Sequence, residues 1–139
     1  VYEPGEIKVV AYNKDGKAVA EKIVRTAGKP HHIELVSNRN KLTADGKDLA
    51  YVTVKVVDKD GNLCPTDSRL IHFSVKGAGK FRAVANGDPT NLEQFHLPKM
   101  HAFHGMLTAI VQAGEIAGDL VLTAKASGVK TGTIHLQAK

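Results

Sequence analysis

Tryptophan is absent from the sequence and aromatic residues make up only 5% of it, so a folded core would consist mainly of aliphatic side chains. The single cysteine, Cys64, excludes an internal disulfide framework. Its thiol precedes Pro65 in a turn-rich stretch without a base partner, which is typical of an inert cysteine and not of a nucleophile. No apolar run approaches the ~18 residues that a transmembrane helix needs, so we expect no membrane insertion.

A secretory signal peptide is also missing. Glu3, Pro4 and Gly5 stand where a basic segment and then an apolar segment would be expected. A piece of a larger exported protein would lack a signal as well, so this absence does not fix a compartment.

The positive charge of the chain is scattered and not clustered. Its formal value is +5, and the Lys and Arg residues occur singly along alternating segments. No aromatic residues interleave with them as base-stacking platforms would require. We therefore expect no nucleic-acid partner.

Short runs of alternating apolar and polar residues, bounded by Gly, Asn, Asp and Pro, dominate the sequence, while long helical patterns are missing. After Pro30 there are seven such runs, which is the strand count of an immunoglobulin-like β-sandwich. The predicted strands are residues 32–36, 49–57, 70–76, 80–85, 105–112, 119–126 and 132–138.

Alternation also predicts which side chains face the core, because successive residues of a strand point to opposite sides. The centres of four inward rows are Val54, Phe73, Leu122 and Ile134, and all four are expected to be buried. The remaining inward positions are Val52, Val56, Ile71, Val75, Leu120, Ala124 and Leu136.

The first residues read as a complete hairpin, with strands at 6–12 and 18–26 around a turn at 13–17. Its order of Gly, acid, aliphatic and alternating residues repeats in the last hairpin of the chain, which starts at Gly118. We interpret residues 1–28 as the last hairpin of a truncated preceding sandwich and residues 29–139 as the immunoglobulin-like domain. A chance likeness between two hairpins is the alternative.

Seven histidines raise the question of a metal site. His31 and His32 are adjacent, so on a strand they would point to opposite faces and would not share an ion. His96, His101 and His104 lie in one long connection, but neither a cysteine pair nor a spaced carboxylate accompanies them. We expect them to be solvated loop residues.

The run from Asp58 to Asn62 resembles the start of a calcium loop, but Arg69 occupies the position of the required twelfth-residue glutamate. A hairpin turn is the better interpretation. The sequence has no nucleophile elbow, no phosphate-binding glycine loop and no arguable carboxylate pair for glycoside chemistry. We therefore predict no catalytic, cofactor-binding or metal-ligating residue in this chain.

The connection at 86–104 is longer than a compact sandwich needs, and loops of that length are usually functional or disordered. It is too apolar to be a disordered linker. We expect it to pack on its own sandwich or on a neighbouring domain. Its apolar residues are Leu92, Phe95, Leu97, Met100 and Phe103.

Three stretches carry a family resemblance: "LTADGKDLAYVTVKVVDKDGNLCP", "NGDPTN" and "GDLVLTAKASG". Together they resemble the C-terminal immunoglobulin-like domain of glycoside hydrolase family 2 enzymes, in particular β-galactosidase-type members from Bacteroidales. The opening "YEPGEIKVVAYNKDGKAVAEKIVRTAGKP" is similar to the end of the β-sandwich that precedes this domain in those enzymes. The "LTADG" stretch also begins invasin-like bacterial surface domains.

The resemblance implies a non-catalytic accessory domain, because the family's catalytic glutamates lie on a separate upstream barrel that is not in this sequence. It implies other domains of the parent hydrolase as partners, and export to the periplasm or cell surface. The free hairpin suggests a homodimer in addition. Two alternatives are a carbohydrate-binding module and an adhesin repeat. For the carbohydrate-binding module, Tyr51 is the aromatic residue that is predicted to face outward.

Overall fold

Eleven strands form three sheets in residues 3–139, which are the residues that this computed structural model describes. No helix in this part of the chain is long and apolar enough to cross a membrane. The strands are β1 (Glu6–Tyr12), β2 (Ala18–Arg25), β3 (His32–Ser37), β4 (Lys41–Leu42), β5 (Leu49–Val57), β6 (Leu70–Gly77), β7 (Gly79–Ala85), β8 (Lys99–His101), β9 (Met106–Ala113), β10 (Gly118–Lys125) and β11 (Gly132–Ala138).

Two of the sheets face each other as a sandwich. One has the strand order β4-β11-β10-β6-β8 and the other the order β3-β5-β9-β7, while β1 and β2 form the separate hairpin. The predicted all-β, immunoglobulin-like sandwich is confirmed. The sandwich has nine strands where seven were predicted, because β4 and β8 are added at the two edges of the larger sheet.

The core lies between the two sheets and is aliphatic, as the composition predicts. Val54, Leu122 and Phe73 are buried at its centre. Ile134 was expected to be buried as well, but it is only partly buried, although it packs against the core. It lies on β11, whose outer neighbour β4 pairs only with Gln137 and Ala138. The strand is therefore a sheet edge at Ile134, and it is less well covered there.

The long connection is not a uniform loop. Residues 99–101 form β8, which pairs with the first residues of β6, and Met100 is fully buried. The expectation that the connection packs on its own sandwich is thus correct for its second half. Leu92 and Phe95 in its first half are exposed to 96% and 56% of their surface.

Candidate docking surfaces

One face of the hairpin is apolar and uncovered. Cross-strand register places Ile7 opposite Val24 and Ala11 opposite Ala20, so these side chains share a face with Val9. The three large aliphatic residues among them are each at least 60% exposed. The apolar face consists of Ile7, Val9, Ala11, Ala20 and Val24, with Lys22 between them.

The opposite face of the hairpin carries two cross-strand ion pairs. Arg25 Nε lies 3.0 Å from Glu6 Oε2, and Lys8 Nζ lies 2.7 Å from Glu21 Oε2. Both pairs are exposed, and such pairs add little stability. This face also carries the aliphatic Val10 and Ile23, so it is mixed. The face of Ile7, Val9 and Val24 is the more apolar and the more exposed one, and it is suited to a protein partner.

A cleft of about 740 Å³ separates the end of the hairpin from the sandwich. The hairpin side chains thus do not fill the space next to the domain that follows them. Residues on the two walls of the cleft include Ile23, Val24 and Thr26 of the hairpin and Leu63, Cys64 and Pro65 of the sandwich.

Asp58 holds the link between the hairpin and the sandwich. The residue is 3% exposed, and its carboxylate accepts a hydrogen bond of 2.8 Å from the backbone N–H of Gly28, in the segment that joins β2 to β3. It also accepts the N–H groups of Asp60 and Asn62 at 2.9 and 2.8 Å. The bond from Gly28, followed by those from Asn62, keeps the pKa of Asp58 well below its ordinary value. The run from Asp58 to Asn62, which resembles the start of a calcium loop, is therefore a turn in which the Asp58 carboxylate accepts hydrogen bonds from backbone N–H groups.

Replacing Asp58 by Asn should destabilise the domain at neutral pH, because one of the two accepting oxygens becomes an amide nitrogen. Either the N–H of Gly28 or those of Asp60 and Asn62 then lose their acceptor. In the native chain this stabilisation is complete above the unfolded pKa of about 3.9 and is lost as the pH falls below it. The variant should therefore show a lower urea midpoint at neutral pH and a smaller loss of stability on acidification. The exposed neighbour Asp60 provides the control, and an Asp60→Asn variant should behave like the native chain. Equal midpoints for all three proteins would contradict the assignment.

The two adjacent histidines do not point apart. Their Nδ1 atoms are 3.0 Å from each other, with the rings in an edge-to-face arrangement. The expectation from strand alternation was wrong because His31 precedes β3, which begins at His32, and is not bound by strand geometry. The structure thus brings together a histidine pair that the sequence pattern had separated.

Two of the three histidines of the long connection, His101 and His104, have separate partners. His101 Nδ1 lies 3.0 Å from Glu93 Oε1, and His104 Nδ1 lies 3.3 Å from the carbonyl oxygen of Pro65. In residues 3–139 no three His, Cys, Asp or Glu side chains are grouped so that they could hold a metal ion.

The Cys64 side chain is buried, and this desolvation raises the pKa of its thiol. A thiol that stays protonated at neutral pH is a poor nucleophile.

Tyr51 faces outward from β5, as alternation predicts, and is partly exposed. Its cross-strand neighbour on the same face is the aliphatic Ile110. Sugar-binding platforms stack rings on aromatic surfaces, and one tyrosine beside an isoleucine offers little of that surface. A glycan array with uniformly negative wells would remove the carbohydrate-binding alternative.

The connection between β7 and β8 exposes a second apolar surface, formed by Leu92, Phe95 and Leu97 and called the loop surface below. The sequence had indicated an apolar loop, but not which of its residues stay uncovered. The role of Asp58 was missed altogether. Its run of Asp, Gly and Asn signalled a turn, and nothing local signals the bond to Gly28.

Comparison with known proteins agrees with these observations. The family model described as "Glycoside hydrolase family 2 C-terminal domain 5" matches residues 33–135. "Beta-galactosidase BoGH2A" of Bacteroides ovatus is 44% identical over 99% of this chain, which spans only 16% of that enzyme.

Two solved structures share the fold over 99% of this chain and 18% of their own. They are a β-glycosidase from Bacteroides vulgatus, with a TM-score of 0.92 and 28% identity, and a glycosyl hydrolase family 2 member from Bacteroides cellulosilyticus, with 0.89 and 31%. The matches favour the hydrolase over the adhesin and carbohydrate-binding alternatives and confirm the resemblance stated above. The chain belongs to the C-terminal domain 5 family of glycoside hydrolase family 2.

Proposed function

We propose that this chain is the accessory domain of a β-galactosidase-type hydrolase and that its role is to pack against the other domains of that enzyme. The observation that carries the proposal is the 44% identity to a β-galactosidase along 99% of this chain but only 16% of the enzyme. The likeness thus extends through the hairpin as well as the sandwich.

The chemistry of the acidic residues supports a non-catalytic role. Glycoside hydrolysis needs one carboxylic acid with a raised pKa to protonate the leaving group. Here five carboxyl groups have lowered pKa values, because backbone N–H groups or an Arg, Asn or Thr side chain bind them. They are Asp45, Asp48, Asp58, Asp67 and Asp88.

The purified chain should therefore not hydrolyse nitrophenyl galactosides or related glycosides, whereas the parent protein should. The coding sequence upstream of residue 1 should specify a (β/α)-barrel. Turnover that survives purification of the 139-residue chain and disappears when one of its acids is mutated would overturn the proposal.

We propose further that the parent is exported to the periplasm or cell surface, in keeping with the family association noted above. Cell fractionation with an antibody against this domain tests the location. Recovery of the parent only in the cytoplasm would contradict it.

Residues 1–28 are best explained as the last hairpin of a preceding β-sandwich. The matched family model begins at residue 33, so the hairpin lies outside it. The two solved structures nevertheless match along 99% of this chain. A hairpin with an uncovered apolar face is what such a sandwich would leave behind.

In isolation the chain should form a homodimer through this hairpin. Within the described residues β1 and β2 pair only with each other, so each offers an open edge. Identical edges are self-complementary about a two-fold axis. Light scattering should give a dimer for the whole chain and a monomer when residues 1–28 are removed. If both the whole chain and the shortened chain are monomeric, and the hairpin amides exchange like those of a free coil, the dimer is excluded.

A further inference from the structure

The hairpin and the loop surface lie at the same end of the sandwich. Strand β3 begins at this end, where His32 pairs with Val57, the last residue of β5. Strand β7 also ends here, since Ala85 pairs with Thr108 near the start of β9. The hairpin therefore joins the smaller sheet at the same end at which the long connection leaves that sheet. We call this end the junction end.

Hydrogen bonds link the end of the long connection to the cleft beside the hairpin. Asn86, the first residue after β7, donates from Nδ2 to the carbonyl oxygen of His101 at 3.0 Å. Three residues further on, His104 Nδ1 lies 3.3 Å from the carbonyl oxygen of Pro65. Pro65 itself lines the cleft beside the hairpin. The end of the long connection is thus bound to one wall of the cleft beside the hairpin.

Hydrogen bonds hold the loop in shape. The carbonyl oxygen of Phe95 accepts the N–H of Val84 at 2.8 Å, which fixes the middle of the loop to β7. The carboxylate of Glu93 accepts the N–H of His101 at 3.1 Å, and the N–H of Glu93 donates to Asn91 Oδ1 at 2.9 Å. A loop fixed in this way presents Leu92 and Phe95 to solvent without the ordering cost of a mobile segment.

We infer that the loop surface docks on an apolar patch of the preceding β-sandwich to which the hairpin belongs, in the same polypeptide. This inference rests on the proposed function, which places the rest of that sandwich before residue 1. The hairpin brings that domain to the junction end. Strands β3 and β7 are the two edges of a four-stranded sheet, so the start of β3 and the end of β7 are only about 14 Å apart. One domain is wide enough to cover both.

Area and charge identify this partner more closely. Docking of the loop surface buries on the order of 300 Å² of its three exposed side chains. This is well below the roughly 800 Å² per partner of a stable complex between separate molecules. So small a surface is effective when the partner is tethered, because the effective concentration is then high. The exposed Lys99 beside it favours a carboxylate at the rim of the partner patch.

Hydrogen exchange compares the parent enzyme with the isolated 139-residue chain. In the parent, amides of residues 90–98 should exchange about tenfold more slowly than in the isolated chain. A Leu92→Ser, Phe95→Ser double variant of the parent should lose this protection. Ile116→Ser is the matched control, because Ile116 is 79% exposed in the turn after β9, at the opposite end of the sandwich.

Equal exchange of residues 90–98 in the parent and the isolated chain would overturn the inference. So would a double variant that abolishes self-association of the isolated chain, because the occupant would then be a second copy. Neither readout depends on catalysis. The proposed function itself fails if no glycoside hydrolase barrel is encoded upstream, so the two failures are distinguishable.

Discussion

A Val54→Asp variant will fail to fold. Val54 is fully buried in the centre of β5, where Leu35 and Leu107 pair with it from the two neighbouring strands. A carboxylate there must stay protonated at neutral pH, and raising its pKa by three units or more costs about 4 kcal/mol, before the lost aliphatic packing is counted. That is comparable with the whole stability of a small domain. Far-UV circular dichroism should lose the strand signal, and amide NMR shifts should collapse to coil values.

The neighbouring position supplies the control. Thr53 directly precedes Val54 on β5 but faces away from the core. It pairs with Val36 and Thr108 on the two neighbouring strands. A Thr53→Asp variant introduces the same side chain at a half-buried position of the outer face, where the carboxylate can reach water, and it should remain folded with a loss of about 1 kcal/mol or less. If both variants stay folded, or both unfold, the assignment of the inner and outer faces of β5 is wrong.

Much of the sandwich was predictable, because a strand that is buried on one side alternates apolar and polar residues. This pattern is visible in the strand's own sequence, without knowledge of the strands that pair with it. Val52, Val54 and Val56 are all fully buried, as their spacing predicts. Strands β4 and β8 were missed, since two or three residues cannot display alternation. Met100 of β8 therefore looked like an apolar loop residue, although it belongs to the core.

What the sequence could not predict depends on contacts between distant residues. The bond from Gly28 to Asp58 joins residues 30 positions apart. The two faces of the hairpin looked equally apolar from β1 alone, since Val10 and Tyr12 alternate with Ile7 and Val9. Only the register with β2 brings Glu21 to Lys8 and so gives one of the two faces its ion pairs.

Gly77 lies where β6 of the larger sheet connects to β7 of the smaller sheet, and a residue with a side chain is disfavoured at this position. Gly77 ends β6 with a φ of +91°, a conformation that residues with a side chain rarely adopt. A Cβ atom at this position would lie 2.0 Å from the carbonyl oxygen of Asp119. That oxygen accepts the N–H of Ala78 at 2.8 Å, next to the pairing of Gly77 with Leu120 on β10. It cannot move away without breaking the contact between β6 and β10.

A Gly77→Ala variant should therefore be destabilised by about 3–5 kcal/mol, since overpacking against backbone adds to the strain of a positive φ. Urea unfolding followed by circular dichroism measures the loss. Gly61 provides the matched control, because its φ is +83° and nothing lies within 4 Å of its missing Cβ. Gly61→Ala should cost only the conformational part, about 1–2 kcal/mol. If the two substitutions cost the same, the close approach of Asp119 does not limit this position and backbone conformation alone explains the glycine.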